Sequence, residues 1–149
     1  MDHATPWAEH ARTVLRDAGY HHGAAREAVV ALLSAQECCL TAQEIFDRLR
    51  AEGRMVGIAS VYRGVDQLAD LGLLQRVDVG DGVARFQPVR PGGEHHHHLV
   101  CDDCGKVVAF HDEPLEQTLE ALGRRAGYVL AGHDVVLRGA CEDCTPTRR

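Results

Sequence analysis

The chain has 149 residues, of which 45% are hydrophobic and 26% are charged. This length and composition predict one or two small folded domains, and they exclude a large multidomain enzyme, a disordered chain and a fibrous protein. The formal net charge of -6 argues against nucleic-acid binding through bulk positive charge, although a local arrangement of arginine and polar groups is enough for a specific DNA site.

The sequence contains no run of about 18 uncharged apolar residues, and residues 1–6 lack the basic and apolar regions of a signal peptide. We therefore expect a cytoplasmic protein that does not span a membrane. The 6 cysteines and 10 histidines are many for a chain of this length. In a reducing compartment, clustered cysteine and histidine residues favour metal binding over disulfides.

Two helices are predicted near the start of the chain, because apolar residues recur at helical spacing in residues 7–18 and again in residues 24–34. A third helix is predicted to begin at the capping box formed by Thr41 and Glu44 and to end at Gly53.

A fourth helix is predicted from Ser60, which serves as its N-cap, to Gly72. One face of this helix is apolar, whereas Tyr62 and Arg63 lie on its outward face. A helix that presents serine, tyrosine and arginine near its start is suited to the major groove of DNA. The alternative interpretation is an ordinary solvated helix face.

Two strand-like runs follow, over residues 74–79 and 83–87, and the sequence Gly80-Asp81-Gly82 between them predicts a hairpin. Helices followed by a hairpin are typical of a winged helix-turn-helix domain, which we place at residues 1–87. Residues 88–94 have the composition of a linker, because their prolines and glycines support neither a helix nor a central strand.

Residues 95–149 are predicted to form a second, small α/β domain. Within it, strands are predicted at residues 95–100, 107–110 and 135–137, and a helix at residues 114–126. The predicted fold class of the whole chain is α+β.

Two CxxC motifs in the second domain are the strongest chemical signal. Their four cysteines, Cys101, Cys104, Cys141 and Cys144, can supply four thiolates to one tetrahedral zinc ion. Because four thiolates leave no open coordination position, such an ion has a structural role and does no catalysis. The alternatives are two disulfides or four unrelated thiols.

Four consecutive histidines precede the first CxxC motif. On a strand, neighbouring side chains point to opposite faces, so His95 and His97 share one face while His96 and His98 share the other. One strand can therefore serve two metal sites, each of which needs further ligands, and the alternative is a solvated polar tract. The candidates for those further ligands are Cys38, Cys39, Glu116, His111 and His133.

Taken together, these motifs resemble the ferric uptake regulator family of metal-responsive bacterial repressors over nearly the whole chain. The resemblance is carried by GIASVYRGVDQLADLGLL at residues 57–74, HHHHLVCDDCGKV at residues 95–107 and CEDC at residues 141–144. It implies a homodimer that binds a double-stranded DNA operator through its winged helix domain and dimerises through its C-terminal domain. It also implies that the protein is not an enzyme and has no small-molecule substrate.

The resemblance assigns roles to individual residues. It implies a structural zinc site at Cys101, Cys104, Cys141 and Cys144. It implies a sensing site that includes His96 and His98, with Cys39 and Gln87 at positions where many iron-sensing members have histidine and glutamate. It implies a second-domain metal site at His95, His97, Glu116 and His133. It implies DNA contacts by Tyr62, Arg63, Arg26 and Tyr20, to which Ser60 is added because it lies at the start of the predicted recognition helix.

Cys39 decides which metal the sequence favours, because a soft thiolate combined with imidazole prefers zinc to iron(II) or manganese(II). We therefore expect structural Zn²⁺ and a second divalent ion, with Zn²⁺ favoured, that acts as corepressor of metal homeostasis genes. The alternatives within the family are an iron- or manganese-responsive regulator and a regulator that responds to thiol oxidation or peroxide. The alternative from another class is a small zinc hydrolase that uses the histidines, with Glu94 or Glu116 as the base.

Overall fold

The computed structural model describes residues 6–36, 38–90 and 96–145. The chain divides into two compact units, Met1–Glu94 and His95–Arg149, and each unit is described by itself. Within the described ranges, no helix is long and apolar enough to cross a membrane.

In the part of it that the structure describes, the first unit consists of four helices and a three-stranded antiparallel sheet of order β1-β3-β2. This arrangement of helices followed by a hairpin matches the predicted winged helix-turn-helix. The elements are α1 (Pro6–Asp17), α2 (Ala24–Ser34), β1 (Leu40–Thr41), α3 (Ala42–Ala51), α4 (Ile58–Asp70), β2 (Leu74–Val77) and β3 (Arg85–Pro88).

An apolar core holds these helices and the sheet together. Trp7 is 1% exposed, and its indole nitrogen donates a hydrogen bond of 3.1 Å to the carbonyl oxygen of Leu73, so α1 is fixed to the segment that enters β2. The predicted capping box of α3 is confirmed, since Thr41 Oγ1 accepts from the Glu44 amide at 3.0 Å and the Glu44 carboxylate accepts from the Thr41 amide at 3.3 Å.

The start of α4 differs from the prediction. Ser60 is not its N-cap, because the helix begins at Ile58 and Gly57 occupies the cap position with an extended backbone. The carbonyl of Gly57 already accepts from the Val61 amide at 3.1 Å. Ser60 therefore lies within the first turn, where its hydroxyl accepts a hydrogen bond of 3.1 Å from Arg63.

The sheet also differs in detail from the prediction. Strand β1 was not predicted, because two residues carry no recognisable alternation. The predicted strand 83–87 begins only at Arg85, since the Asp81 side chain accepts from the Val83 amide at 3.1 Å and extends the turn. Pro88, assigned to the linker, ends the central strand β3. It is tolerated there because β1 reaches only as far as Phe86, so that Pro88 pairs on one side alone.

The second unit is an α/β arrangement in which β4 lies between β5 and β6. Strand β4 is antiparallel to β5 and parallel to β6, and helix α5 connects β5 to β6. The α+β class predicted for the chain is confirmed. The elements are β4 (His97–Cys101), β5 (Val107–Phe110), α5 (Glu113–Arg125) and β6 (Val136–Gly139).

The predicted strand over residues 95–100 begins later, at His97, and ends at Cys101. His95 lies outside the described residues, and His96 immediately precedes the strand. Helix α5 starts one residue before the predicted Pro114, because Asp112 caps it by accepting a hydrogen bond of 3.1 Å from the Leu115 amide.

Few apolar side chains are buried in the second unit. Among its described residues, Val100 and Cys101 are the only apolar ones that are buried. Leu99, Val108 and Leu137 are 43%, 40% and 48% exposed, and they are direct neighbours across β4, β5 and β6. Direct neighbours lie on one face of a sheet, so the unit presents an apolar sheet face formed by these three residues.

Candidate metal centres and DNA-binding surface

The four cysteines of the two CxxC motifs come together in the second unit. Their sulfur atoms all lie within 4.8 Å of one another, and Cys104 Sγ is 3.7 Å from Cys141 Sγ. The parallel pairing of β4 with β6 places Cys101 opposite Gly139, so both motifs leave the sheet at the same end. The structure describes all six cysteines of the chain, and none of them forms a disulfide.

The first CxxC motif forms a tight turn. The Cys101 amide donates to the Lys106 carbonyl and the Gly105 amide donates to the Cys101 carbonyl, both at 2.9 Å. Gly105 has a φ of 77°, a left-handed conformation that favours glycine. Asp102 in this turn accepts a hydrogen bond of 2.6 Å from Arg138 of β6, which joins the turn to the strand leading to the second motif.

The electrostatics of this cluster differ between its cysteines. Amide donors of Cys141 and Cys104 lower the pKa of Cys101 to about 6, and the Cys141 amide lies 3.3 Å from its sulfur. Hydrogen bonding to the Cys141 thiol is the main cause that raises the pKa of Cys144, to about 12. One thiolate is therefore already present at neutral pH, and the set of four sulfurs suits a tetrahedral zinc ion.

A second cluster is formed by His97, Glu116 and His133, which were predicted as second-domain ligands together with His95. Nε2 of His97 is 2.5 Å from one Glu116 oxygen, and Nε2 of His133 is 2.7 Å from the other. The His97 side chain is fully buried, and the side chains of Glu116 and His133 are 12% and 20% exposed.

The backbone fixes the orientation of His97. Its Nδ1 accepts a hydrogen bond of 3.3 Å from the Val135 amide, so the proton of the neutral ring belongs on Nε2, facing Glu116. A metal ion at this position would replace that proton. Two imidazoles and one carboxylate give a three-ligand set of harder character than the four thiolates.

Two of the predicted sensing-site residues, Cys39 and Gln87, lie in the first unit. Leu40 pairs with Phe86, so the next position of this antiparallel register would place Cys39 opposite Gln87. Both are buried, at 4% and 8% exposure. Hydrogen bonding to the Cys38 thiol and burial raise the pKa of Cys39, and the positive charge of Arg85 opposes this shift.

The other two, His96 and His98, lie in the second unit. His98 is a buried residue of β4, and His96 directly precedes that strand. Because strand neighbours alternate, His98 points to the face opposite that of His97. The assignment of His97 and His98 to different sites rests on the same alternation and stays a prediction.

The predicted DNA-contacting residues lie on α4 and near the start of α2. Tyr62 is 45% exposed, and Arg63 is exposed one residue further along α4. Arg26 donates a hydrogen bond of 2.8 Å to the Gln67 side chain on α4, and its guanidinium carbon lies 5.0 Å from the ring centre of Tyr20. Sequence reasoning missed the contact between Arg26 and Gln67, because no local pattern links residues on two separate helices.

A cleft of about 470 Å³ lies beside these residues, between α1 and the start of α2. Arg12, Arg16, Arg26 and Tyr20 contribute to its lining, although Arg12 is paired with Glu27 at 2.6 Å. The lining also includes Glu9 and Glu27, so its three arginines exceed its carboxylates by one and the cleft is only slightly positive.

Comparisons with known proteins agree on one family. A family model described as "Ferric uptake regulator family" matches residues 17–138. A ferric uptake regulation protein of Bacillus subtilis (strain 168) is 32% identical over 132 residues, covering 87% of this chain and 89% of that protein. The match to the family model includes residues of both units.

Solved structures give the same result. The crystal structure of the Vibrio cholerae ferric uptake regulator is 32% identical, with a TM-score of 0.75, and the match covers 87% of this chain and 98% of that chain. A structure described as a zinc-bound manganese uptake regulator is 27% identical, with a TM-score of 0.73, covering 88% of this chain and 98% of that chain.

Proposed function

The chain belongs to the ferric uptake regulator family, and from this premise we propose that it is a zinc-dependent repressor of metal homeostasis genes. Like other members of this family, it is a metal-responsive, DNA-binding transcription regulator and not an enzyme. This membership excludes the zinc hydrolase alternative. The preference for zinc, the ligand sets and the operator contacts are the parts that we propose.

The observation that supports zinc is the buried thiol of Cys39 in the first unit. Thiolate and imidazole ligands favour zinc, whereas carboxylate-rich sites favour iron(II) and manganese(II). We assign to the sensing site Cys39, His96 and His98, with Gln87 as the fourth candidate ligand. Gln87 is a neutral amide, so it adds none of the carboxylate character that harder ions prefer.

The four-cysteine cluster is the proposed structural zinc site. Sulfur positions within 4.8 Å of one another support a single ion, and a closed set of four thiolates leaves no room for a reacting water. Bound zinc would stabilise a unit whose buried apolar core is small.

The protein is proposed to act as a homodimer on double-stranded DNA. The apolar sheet face of Leu99, Val108 and Leu137 supports association through the second unit. In a two-fold dimer the recognition helices must lie about 34 Å apart to read two half-sites. Proposed DNA contacts come from Tyr62, Arg63 and Ser60 on α4, and from Arg26 and Tyr20.

The proposed mechanism is a shift between conformations. A divalent ion that takes ligands from both units binds only the arrangements in which those ligands meet, so it favours that population. If that population is also the one that binds the operator, metal and DNA strengthen each other's binding by the same factor.

The test measures operator binding by fluorescence anisotropy of a duplex of the protein's own promoter. The dimer carries zinc in the four-cysteine site, and buffered Zn²⁺, Fe²⁺ and Mn²⁺ are titrated anaerobically. We expect operator affinity to rise at trace zinc and expect Cys39→Ser combined with His96→Ala to abolish the response. A selective response to Fe²⁺ or Mn²⁺ would contradict the zinc assignment, and an absence of any metal response would contradict the mechanism.

One observation favours a second candidate, an iron- or manganese-responsive regulator. The cluster of His97, Glu116 and His133 combines a carboxylate with imidazoles, which suits these harder ions better than a thiolate set does. In this case Glu116→Gln, and not Cys39→Ser, would abolish metal-dependent operator binding.

A further inference from the structure

Cys38 and Cys39 are adjacent in the chain, and their sulfur atoms lie together. Cys38 Sγ is 3.8 Å from Cys39 Sγ in the bend between α2 and β1. In a regular strand, neighbouring side chains point to opposite faces, so this convergence depends on the bend. Both sulfurs belong to the first unit.

Gln36, near the start of this bend, accepts hydrogen bonds from two arginines that lie in other parts of the first unit. The Gln36 carbonyl accepts a hydrogen bond of 3.2 Å from Arg90, and its side-chain oxygen accepts one of 2.6 Å from Arg48 of α3. Cys39 is 4% exposed and Cys38 is half-buried. Hydrogen bonds from two separate parts of the first unit therefore fix the position of Gln36, two residues before Cys38.

The separation of the two sulfurs allows both of them to bind one zinc ion without a change in their spacing. Zinc binds thiolates at about 2.3 Å, and two sulfurs of a tetrahedral site then lie about 3.8 Å apart. A disulfide would need about 2.05 Å. The Cys104 and Cys141 sulfurs of the proposed structural site are 3.7 Å apart, which is nearly the same spacing.

The net charge of the metal complex also favours a second thiolate ligand. A divalent ion bound by one thiolate, neutral histidines and neutral Gln87 keeps a net charge of about +1 in a buried environment, which is costly. The nearby buried Arg85 cannot offset this charge because it is itself a cation, and the carboxylate of Asp81 is already paired with Arg85 at 2.8 Å. A second thiolate makes the complex electrically neutral.

We propose that Cys38 is a ligand of the sensing ion, so that Cys38 and Cys39 bind Zn²⁺ as a chelating pair of thiolates. This inference rests on the proposed function and refines it. With His96 and His98, the pair completes a four-coordinate set of two sulfurs and two nitrogens, which is typical of zinc and leaves Gln87 outside the coordination sphere.

The experiment uses the full chain, with the four-cysteine site filled by zinc, and adds one equivalent of Co²⁺ under anaerobic conditions. Thiolate ligands give Co²⁺ a near-ultraviolet charge-transfer absorption whose intensity grows with the number of Co–S bonds. Zinc is measured after the titration, so that cobalt entering the four-cysteine site is detected and corrected for.

We expect Cys38→Ser and Cys39→Ser each to lower this absorption to about half, and expect the double variant to abolish it. Met55→Ser changes a side chain of the first unit that is 99% exposed; it is the control and should retain the full absorption. If Cys38→Ser keeps the wild-type intensity, or if the wild type shows no charge-transfer band, the inference is wrong. Circular dichroism and urea unfolding of each variant show that the fold is intact.

Operator binding separates failure of this inference from failure of the proposed function. If Cys38→Ser keeps the cobalt absorption while zinc still promotes operator binding by the wild type, Cys38 is not a ligand and the regulator remains. If the wild type has the two-thiolate absorption but binds its operator equally well with and without metal, the ligand pair stands and the proposed function fails.

Discussion

The guanidinium of Arg26 on α2 donates a hydrogen bond of 2.8 Å to the side-chain oxygen of Gln67 on α4. The same guanidinium also donates to the carbonyl of His21 and lies against the ring of Tyr20. The two helices pack closely at this point, since a Cβ on Gly64 would come within 3.6 Å of Arg26 Cα. Arg26 thus joins the proposed recognition helix to the segment that precedes α2.

Gln67→Ala and Arg26→Ala separate the structural role of this contact from DNA binding. Either change removes the hydrogen bond, so we expect Gln67→Ala to lower the free energy of unfolding by about 1 kcal/mol. Arg26→Ala should lower it by more, because that variant also loses the contacts with His21 and Tyr20. Only Arg26→Ala removes a positive charge, so only that variant should lower the slope of log affinity against log salt concentration, by about one. Urea unfolding and anisotropy at several salt concentrations measure the two effects. Equal salt slopes for the two variants would show that Arg26 does not contact phosphate.

The parts of the fold that could be predicted depend on short stretches of sequence. The capping box of Thr41 and Glu44 spans four residues, and the CxxC spacing is local as well. The contact between Arg26 and Gln67 spans 41 residues, and strand β1 exists only because Leu40 and Thr41 reach Phe86 and Arg85. Such features follow from tertiary packing, and neither periodicity nor capping signals encode them. The proximity of the Cys38 and Cys39 sulfurs likewise depends on a bend that the sequence does not reveal.

Zinc removal should destabilise the second unit selectively. The first unit has a large apolar core that includes Trp7, Leu33 and Ile45, whereas the described part of the second unit buries only Val100 and Cys101 among its apolar residues. We expect chelation of zinc to increase amide hydrogen exchange in residues 96–145 and to leave exchange in residues 6–36 unchanged. Cys144→Ser should reproduce the effect, and Cys38→Ser, the matched control, should not. Equal protection of the second unit with and without metal would contradict a structural role for the ion.

Proton release on zinc binding should depend on pH through Cys101. Its pKa is lowered to about 6, so at pH 7.5 it is already a thiolate and releases no proton when zinc binds. Below its pKa the thiol is protonated, so zinc binding at pH 5.5 must displace most of one additional proton. Calorimetry of the metal-free protein in buffers with different ionisation enthalpies measures this number. Between pH 7.5 and pH 5.5 the increase in released protons should be smaller by most of one proton in Cys101→Ser, and an equal increase in that variant would assign all of it to other groups.

The apolar sheet face should be the surface through which the protein dimerises. Leu99, Val108 and Leu137 are neighbours across three strands, and each is at least 40% exposed. Leu137→Glu places a charge at this face, and burying that charge against the apolar side chains of a second copy would be costly. Leu137 is 48% exposed, so the substitution removes little buried packing within the unit.

We therefore expect zinc-loaded Leu137→Glu to sediment as a monomer with its zinc content unchanged. Met55→Glu introduces the same charge at a side chain of the first unit that is 99% exposed, and it should remain dimeric. A dimeric Leu137→Glu would show that the two copies associate through another surface.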